Sequence, residues 1–130
     1  MSDGDSFVDP EFQKSWAGAK SAGVVRGAHQ FFRPQQYPVA QADLLIKHMG
    51  ALDVGDLSPV LDVEVSDGVS GATIAARVGQ WVSHIKAKTG RTAIIYTAPG
   101  FWNGLGTKSY GADALWVANW GVSCPSMPSS

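Results

Sequence analysis

The chain has 130 residues, 45% of them hydrophobic, which is enough for one domain around a single core and more than a staple-dependent miniprotein needs. Ten Lys plus Arg stand against eleven Asp plus Glu, a formal net charge of -1, and no stretch concentrates basic residues as a phosphate-tracking surface requires, so no nucleic-acid partner is expected. The longest apolar runs, such as Ala93 to Tyr96, are strand-sized and fall far short of the roughly 20 residues that cross a bilayer, so no membrane span is expected either.

Met1-Ser2-Asp3-Gly4-Asp5-Ser6 has neither a basic nor an apolar leader region, so we expect no secretory signal in this chain. Asp9-Pro10-Glu11 opens a helix: Asp9 can cap free N–H groups, Pro10 suits the first helical position, and Glu11 complements the positive end of the dipole. Phe12, Trp16 and Ala19 or Lys20 follow at helical spacing, and Gly23 is a natural stop. The β-rich run from Val24 to Phe32, closed by Arg33-Pro34, predicts a strand. Helical spacing returns over residues 38–49, with Ala42, Leu45, Ile46 and Met49 on one stripe and Gly50 as the cap.

Val60-Leu61-Asp62-Val63-Glu64-Val65 predicts a second strand, with apolar residues on one parity and two acids on the other. Ile74, Val78, Trp81, Val82 and Ile85 predict a longer helix over residues 71–89 that ends before Gly90. Two further strands are expected over residues 93–97 and 114–119, separated by a Gly-rich loop around Phe101-Trp102-Asn103-Gly104. Residues 123–130, rich in Ser and Pro, predict an irregular tail, and Cys124 within it reads as a free thiol without a disulfide or metal role. Strands alternating with helices predict the α/β class, with parallel βα units and a sheet covered on both faces. The absence of a fixed sequence repeat argues against a solenoid.

The pair Asp62 and Glu64 carries the chemistry. On a strand, residues two apart share a face with Cα atoms about 6.6 Å apart, so two carboxyl groups converge on one volume. Glycoside hydrolysis uses such a pair, one carboxyl protonating the leaving oxygen while other negative charge stabilises an oxocarbenium-like transition state. Charging one acid also disfavours charging its neighbour, which separates their pKa values. Glu64 is assigned as the proton donor because it lies nearer the strand's C-terminal end, where βα-barrel sites collect, and has the longer reach; Asp62 is assigned the ionised role. An Asp-x-Glu triplet also serves for binding a cation, for capping a following loop, or simply as a solvent-facing strand end.

Tyr96, with Trp102, Trp116 and Trp120, could stack on sugar rings, although large aromatics are also ordinary core residues. His29 has no cysteine, second histidine or nucleophilic serine pattern near it, so it reads as a lining or substrate-contacting residue rather than a metal ligand or triad member. The candidate substrate-binding set is therefore Tyr96, His29, Trp116, Asn119 and Trp120.

Several motifs in order resemble one known family. They are Phe7-Val8-Asp9-Pro10-Glu11-Phe12 with Trp16-Ala17-Gly18-Ala19-Lys20, then Arg26 through Pro34, and Pro59-Val60-Leu61-Asp62-Val63-Glu64. Thr89-Gly90-Arg91, Ile94-Ile95-Tyr96-Thr97 and Leu115 through Val122 complete the series. The chain is similar to the family 25 glycoside hydrolases, the Chalaropsis-type lysozymes or N-acetylmuramidases. The resemblance implies an irregular TIM-like (β/α) barrel that cuts the β-1,4 bond between N-acetylmuramic acid and N-acetylglucosamine in bacterial peptidoglycan, without metal or organic cofactor. It implies Glu64 as the acid and Asp62 as its essential neighbour, and an action on the cell wall by a secreted or phage-released protein.

Three departures accompany the resemblance. Family members begin with a strand bearing an Asp-Val-Ser-like motif, followed by a second strand, and continue at the other end into further strands with a Trp-Gln-Tyr-like segment. They commonly have Tyr where His29 stands. A closed barrel takes about eight strands and only about four are evident, so we expect a single partial catalytic domain over residues 1–130, the middle of an incomplete barrel, with Met1 internal to a longer reading frame. Its unpaired sheet edges predict self-association. The rival expectation is a non-catalytic remnant that binds cell-wall glycan or serves as a structural module. A nucleotide-binding α/β domain would need a glycine-rich strand-to-helix turn, and the glycines are not so arranged.

Overall fold

The computed structural model describes residues 1–106, 112 and 114–128. Among these, six strands form one sheet: β1 (Ser2–Asp3), β2 (Phe7–Val8), β3 (His29–Phe31), β4 (Val60–Asp62), β5 (Ile94–Thr97) and β6 (Ala114–Val117). Their order across the sheet is β2-β1-β3-β4-β5-β6, with β1 and β2 antiparallel and the other neighbours parallel. Helices α1 (Phe12–Ser21), α2 (Pro38–Met49), α3 (Gly71–Thr89) and α4 (Pro99–Gly104) alternate with the strands, as the α/β expectation requires.

α2 and α3 occupy the predicted ranges because cap and stripe agree. Ser70 Oγ accepts from the Thr73 N–H at 3.3 Å to open α3, and Gly90 closes it at φ 71, a conformation that costs glycine no Cβ clash. Ile74, Val78, Trp81, Val82 and Ile85 all face the core. α1 starts later than expected. Asp9 Oδ1 accepts the Glu11 N–H at 2.9 Å, as a cap would, but Pro10 falls in the preceding turn rather than at the first helical position.

Six expectations need correction. The sheet has six strands rather than about four, since β1 and β2 are too short to show a pattern. The strand expected over residues 114–119 ends at Val117. The predicted strand at residues 24–32 shrinks to β3, because Val24 and Val25 project into solvent and the Arg26 side chain is drawn into an ion cluster. β4 ends at Asp62, although the Val63 N–H still bonds Tyr96 O at 2.8 Å. The Gly-rich segment near 101–104 is helical, since Pro99 suits a first turn and Trp102 and Leu105 bury an apolar side. Among the described residues, helices cover one face of the sheet, the one carrying Ala28, Phe32, Leu61, Val63 and Ile95, which join Phe12, Leu45, Trp81 and Trp102 in one core. Residues 123–128 carry no helix or strand, and residues 129 and 130 of the expected tail lie outside the described residues.

Two polar networks lock this arrangement. Gln30, fully buried, uses Nε2 to bond Ser2 Oγ (3.1 Å), Gly4 O (3.0 Å) and Gln41 O (2.8 Å), while its Oε1 accepts from the Trp81 indole at 2.7 Å. Gln41, equally buried, grips both backbone polar groups of Arg33. At the opposite ends of the strands, the Arg26 guanidinium lies 4.0 Å over the Trp16 ring and makes a two-pronged contact with Asp56 at 2.8 and 3.0 Å. That contact, then a backbone N–H from Asp53, lowers the Asp56 pKa to about 2. Gly27 packs tightly beside it: a Cβ there would sit 3.0 Å from Leu57 Cβ, so a side chain at 27 would push Leu57 aside by a few tenths of an ångström.

Candidate functional site

Strand register builds the site. Phe31 pairs with Asp62, Asp62 with Tyr96, and Tyr96 with Trp116, so four side chains stand in one row across β3, β4, β5 and β6. In-register residues of a parallel sheet share a face, and this row lies on the face the helices leave uncovered. His29 and Val60 form the next row toward the strand N-termini.

His29, Asp62, Glu64, Tyr96 and Trp116 line one cavity of about 490 Å³, together with Gly27, Ala28, Leu57 and Val60. The two carboxyl groups therefore share a face and an opening, as their spacing predicted. Asp62 is half-buried at the end of β4, and Glu64 is exposed just beyond it. Tyr96 and Trp116 meet edge to face with ring centroids 5.1 Å apart, forming one aromatic wall. Trp116 stays 59% exposed, a large apolar surface held open beside two acids.

Not every candidate converges there. Asn119 lies outside the cavity lining, and its amide donates to Ser126 Oγ at 3.1 Å. Trp120 is 87% exposed and also outside the lining. Trp102 is buried in the core and offers no stacking face. Leu57 and Val60 were not singled out from sequence; Val60 was discoverable, since it shares parity with Asp62.

The electrostatics follow from burial. Asp62 has its pKa pushed up to about 6, first by desolvation and then by the nearby charge of Glu64. Its Oδ1 is buried and makes no hydrogen bond to another described residue. Arg33, two residues past the end of β3, is committed to Asp3 through contacts of 2.6 and 2.7 Å. Tyr96 is raised above the ordinary phenol value by desolvation, then by Glu64 and Asp62, so its hydroxyl keeps its proton. His29 is lowered by partial desolvation, which favours the neutral ring. Among the described residues, no group of three or more His, Cys, Asp or Glu is arranged to hold a metal ion, and no helix is long and apolar enough to cross a membrane.

The raised Asp62 pKa has a stability consequence. The folded value of about 6 exceeds the ordinary aspartate value of 3.8, so the folded state binds the proton more tightly. Ionised Asp62 therefore costs stability above pH 6, and that cost disappears as pH falls toward 4. Asp62→Asn is expected to stabilise the fold by about 1–3 kcal/mol at pH 8, with the gain vanishing near pH 4. Urea denaturation of both proteins at the two pH values checks this, and a less stable variant at pH 8 contradicts it.

A half-buried acid, a second acid within the same opening and an aromatic wall define a class of site suited to hydrolysing glycosidic bonds. The model of glycosyl hydrolases family 25 matches residues 1–130, and the chain belongs to that family. Lysozyme M1 of Streptomyces globisporus is 34% identical over 143 residues, covering 98% of this chain and 47% of that protein. The crystal structure of the bacterial lysozyme from Streptomyces coelicolor superposes with a TM-score of 0.86 at 31% identity, over 99% of this chain and 65% of the other. A family GH25 lysozyme from Aspergillus fumigatus gives 0.88 at 25% identity, over 99% and 68%. The chain thus spans about half the length of the curated relatives it matches, for example 47% and 54% of two of them.

Proposed function

We propose that this chain carries the acid pair of a peptidoglycan hydrolase that cleaves the β-1,4 bond between N-acetylmuramic acid and N-acetylglucosamine. The observation that carries the reading is the convergence of Asp62 and Glu64 on one cavity walled by Tyr96 and Trp116. Glu64, exposed at the strand's end, is the proton donor to the glycosidic oxygen. Asp62, in the same cavity, is expected from sequence to be ionised, but its pKa is raised to about 6, so it supplies negative charge to the oxocarbenium-like transition state above that pH. Tyr96 and Trp116 stack on the sugar and His29 contacts it, while Asn119 and Trp120 extend the glycan-binding surface beyond the cavity. The relatives named as lysozymes support the substrate class.

In the same reading, residues 1–130 form a partial catalytic domain, the arc of an irregular (β/α) barrel whose inner face is the cleft face. The parallel run β1-β3-β4-β5-β6, with helices on one side, supports it. An open inner face also supports self-association, because β6 ends the described sheet and Leu57 and Trp116 leave apolar surface exposed.

A second reading, a glycan-binding module without turnover, is favoured by the openness of that face, since stacking contacts survive where the transition state is poorly enclosed. Purified chain is expected to lower the turbidity of a bacterial cell-wall suspension and to scatter light as a species heavier than a monomer. Retention on sedimented peptidoglycan with no turbidity loss selects the binding module; a monodisperse monomer overturns the self-association.

A further inference from the structure

We propose that Thr97 is a positioning residue that sets the placement of Glu64 relative to Asp62 by holding the peptide link between Val63 and Glu64. The consequence for turnover rests on the hydrolase reading above; the geometry does not. Thr97 is the last residue of β5 and is fully buried. Its Oγ1 donates to Val63 O at 2.7 Å. The Tyr96 carbonyl accepts the Val63 N–H at 2.8 Å. Residue 63 is therefore gripped at both backbone polar groups by two successive residues of β5, beyond the last assigned residue of β4.

The hydroxyl is needed because the sheet ladder gives out at this point. β5 ends at Thr97, and Ala98 already caps α4, its carbonyl accepting from the Trp102 N–H at 3.0 Å. A parallel ladder would satisfy Val63 O with the next backbone amide of β5; the Thr97 hydroxyl stands in its place. The Val63 carbonyl carbon is bonded directly to the nitrogen of Glu64, so rotation there swings the Glu64 side chain across the cleft. Thr97 O also accepts the Ala118 N–H at 3.0 Å, which ties the same residue to the segment following β6. One buried threonine thus links three adjacent strands at the height of the two carboxyl groups.

Thr97→Val keeps the shape and removes the donor, and Thr97→Ser keeps the donor. With soluble peptidoglycan fragments as substrate, Thr97→Val is expected to lower kcat by about 10–100-fold with KM within about twofold, and Thr97→Ser to recover the wild-type kcat within about threefold. A carboxyl-carbon NMR titration gives a second readout that needs no turnover. In Thr97→Val the Asp62 midpoint falls toward the ordinary aspartate value, as Glu64 moves off and water enters; in Thr97→Ser it does not. Groups facing Asp62 in the cleft are Glu64, His29 and Tyr96; Glu64 is followed in the same spectra, and the His29 and Tyr96 ring carbons in parallel aromatic spectra. A folded Thr97→Val protein with an unchanged Asp62 midpoint overturns the proposal, whatever its activity. Wild-type chain that hydrolyses nothing, while the midpoint still moves in Thr97→Val, defeats the hydrolase reading and leaves the positioning role standing. Should the valine variant fail to fold, Thr97→Cys, with its weaker donor, carries the same comparison.

Discussion

Glu64→Gln is expected to reduce peptidoglycan clearing by about 10²–10⁴-fold while leaving the fold intact, because the amide keeps the side chain's shape but has no acidic proton to give. Glu64 stands past the end of β4 and is exposed, so the amide displaces no packed side chain. It shares the cavity with Asp62, whose buried Oδ1 lacks a protein hydrogen bond among the described residues. Removing the charge at position 64 also removes one cause of the high Asp62 pKa, so the Asp62 midpoint drops below about 6 in the variant. Zymography on bacterial walls, with circular dichroism to confirm folding, measures the first effect. Equal clearing by both proteins would reject Glu64 as the acid.

The largest stability effect is expected far from that chemistry, at Gln30. Gln30→Leu replaces a buried amide with an apolar group of similar size and orphans the partners it served. The Trp81 indole N–H loses its acceptor, and Ser2 Oγ and the Gly4 and Gln41 carbonyls lose the two amide N–H groups they share. Each buried polar group left unpaired costs about 1–3 kcal/mol, and relaxation recovers part of that, so a net loss of about 3 kcal/mol is expected. For a chain of this length the melting midpoint falls by about 10 °C. Differential scanning calorimetry checks it; a change under about 2 °C would show that the network is dispensable.

The periodic parts of the molecule were legible in the sequence. α2 and α3 were readable because stripe, cap and terminating glycine all point to the same boundaries. The Asp62 and Glu64 pairing was readable because strand parity is a local property, and both side chains do open into one cavity. Local pattern could not show the rest. Two-residue strands such as β1 and β2 have no periodicity to detect, and their existence depends on partners elsewhere in the chain. The buried glutamines carry no apolar signal, although they join β1, β3, α2 and α3. The α4 segment read as a loop through its glycines, and burial of Trp102 overrode that preference. Trp116 and Trp120 looked alike in sequence. Only the pairing of β5 with β6 separates the tryptophan in line with Tyr96 from the one that projects into solvent.

The cross-strand alignment of Phe31, Asp62, Tyr96 and Trp116 makes assembly of the cleft an all-or-none event. Its members come from four segments spread over most of the chain, and a slip of one residue in any strand would turn that member toward the helices. A polypeptide with its helices formed but its strands misaligned would thus hold no acid pair. The proton affinity of Asp62 then doubles as a readout of native pairing: an ordinary aspartate titration in a helical preparation marks a collapsed, unregistered chain, and an elevated one marks the native sheet.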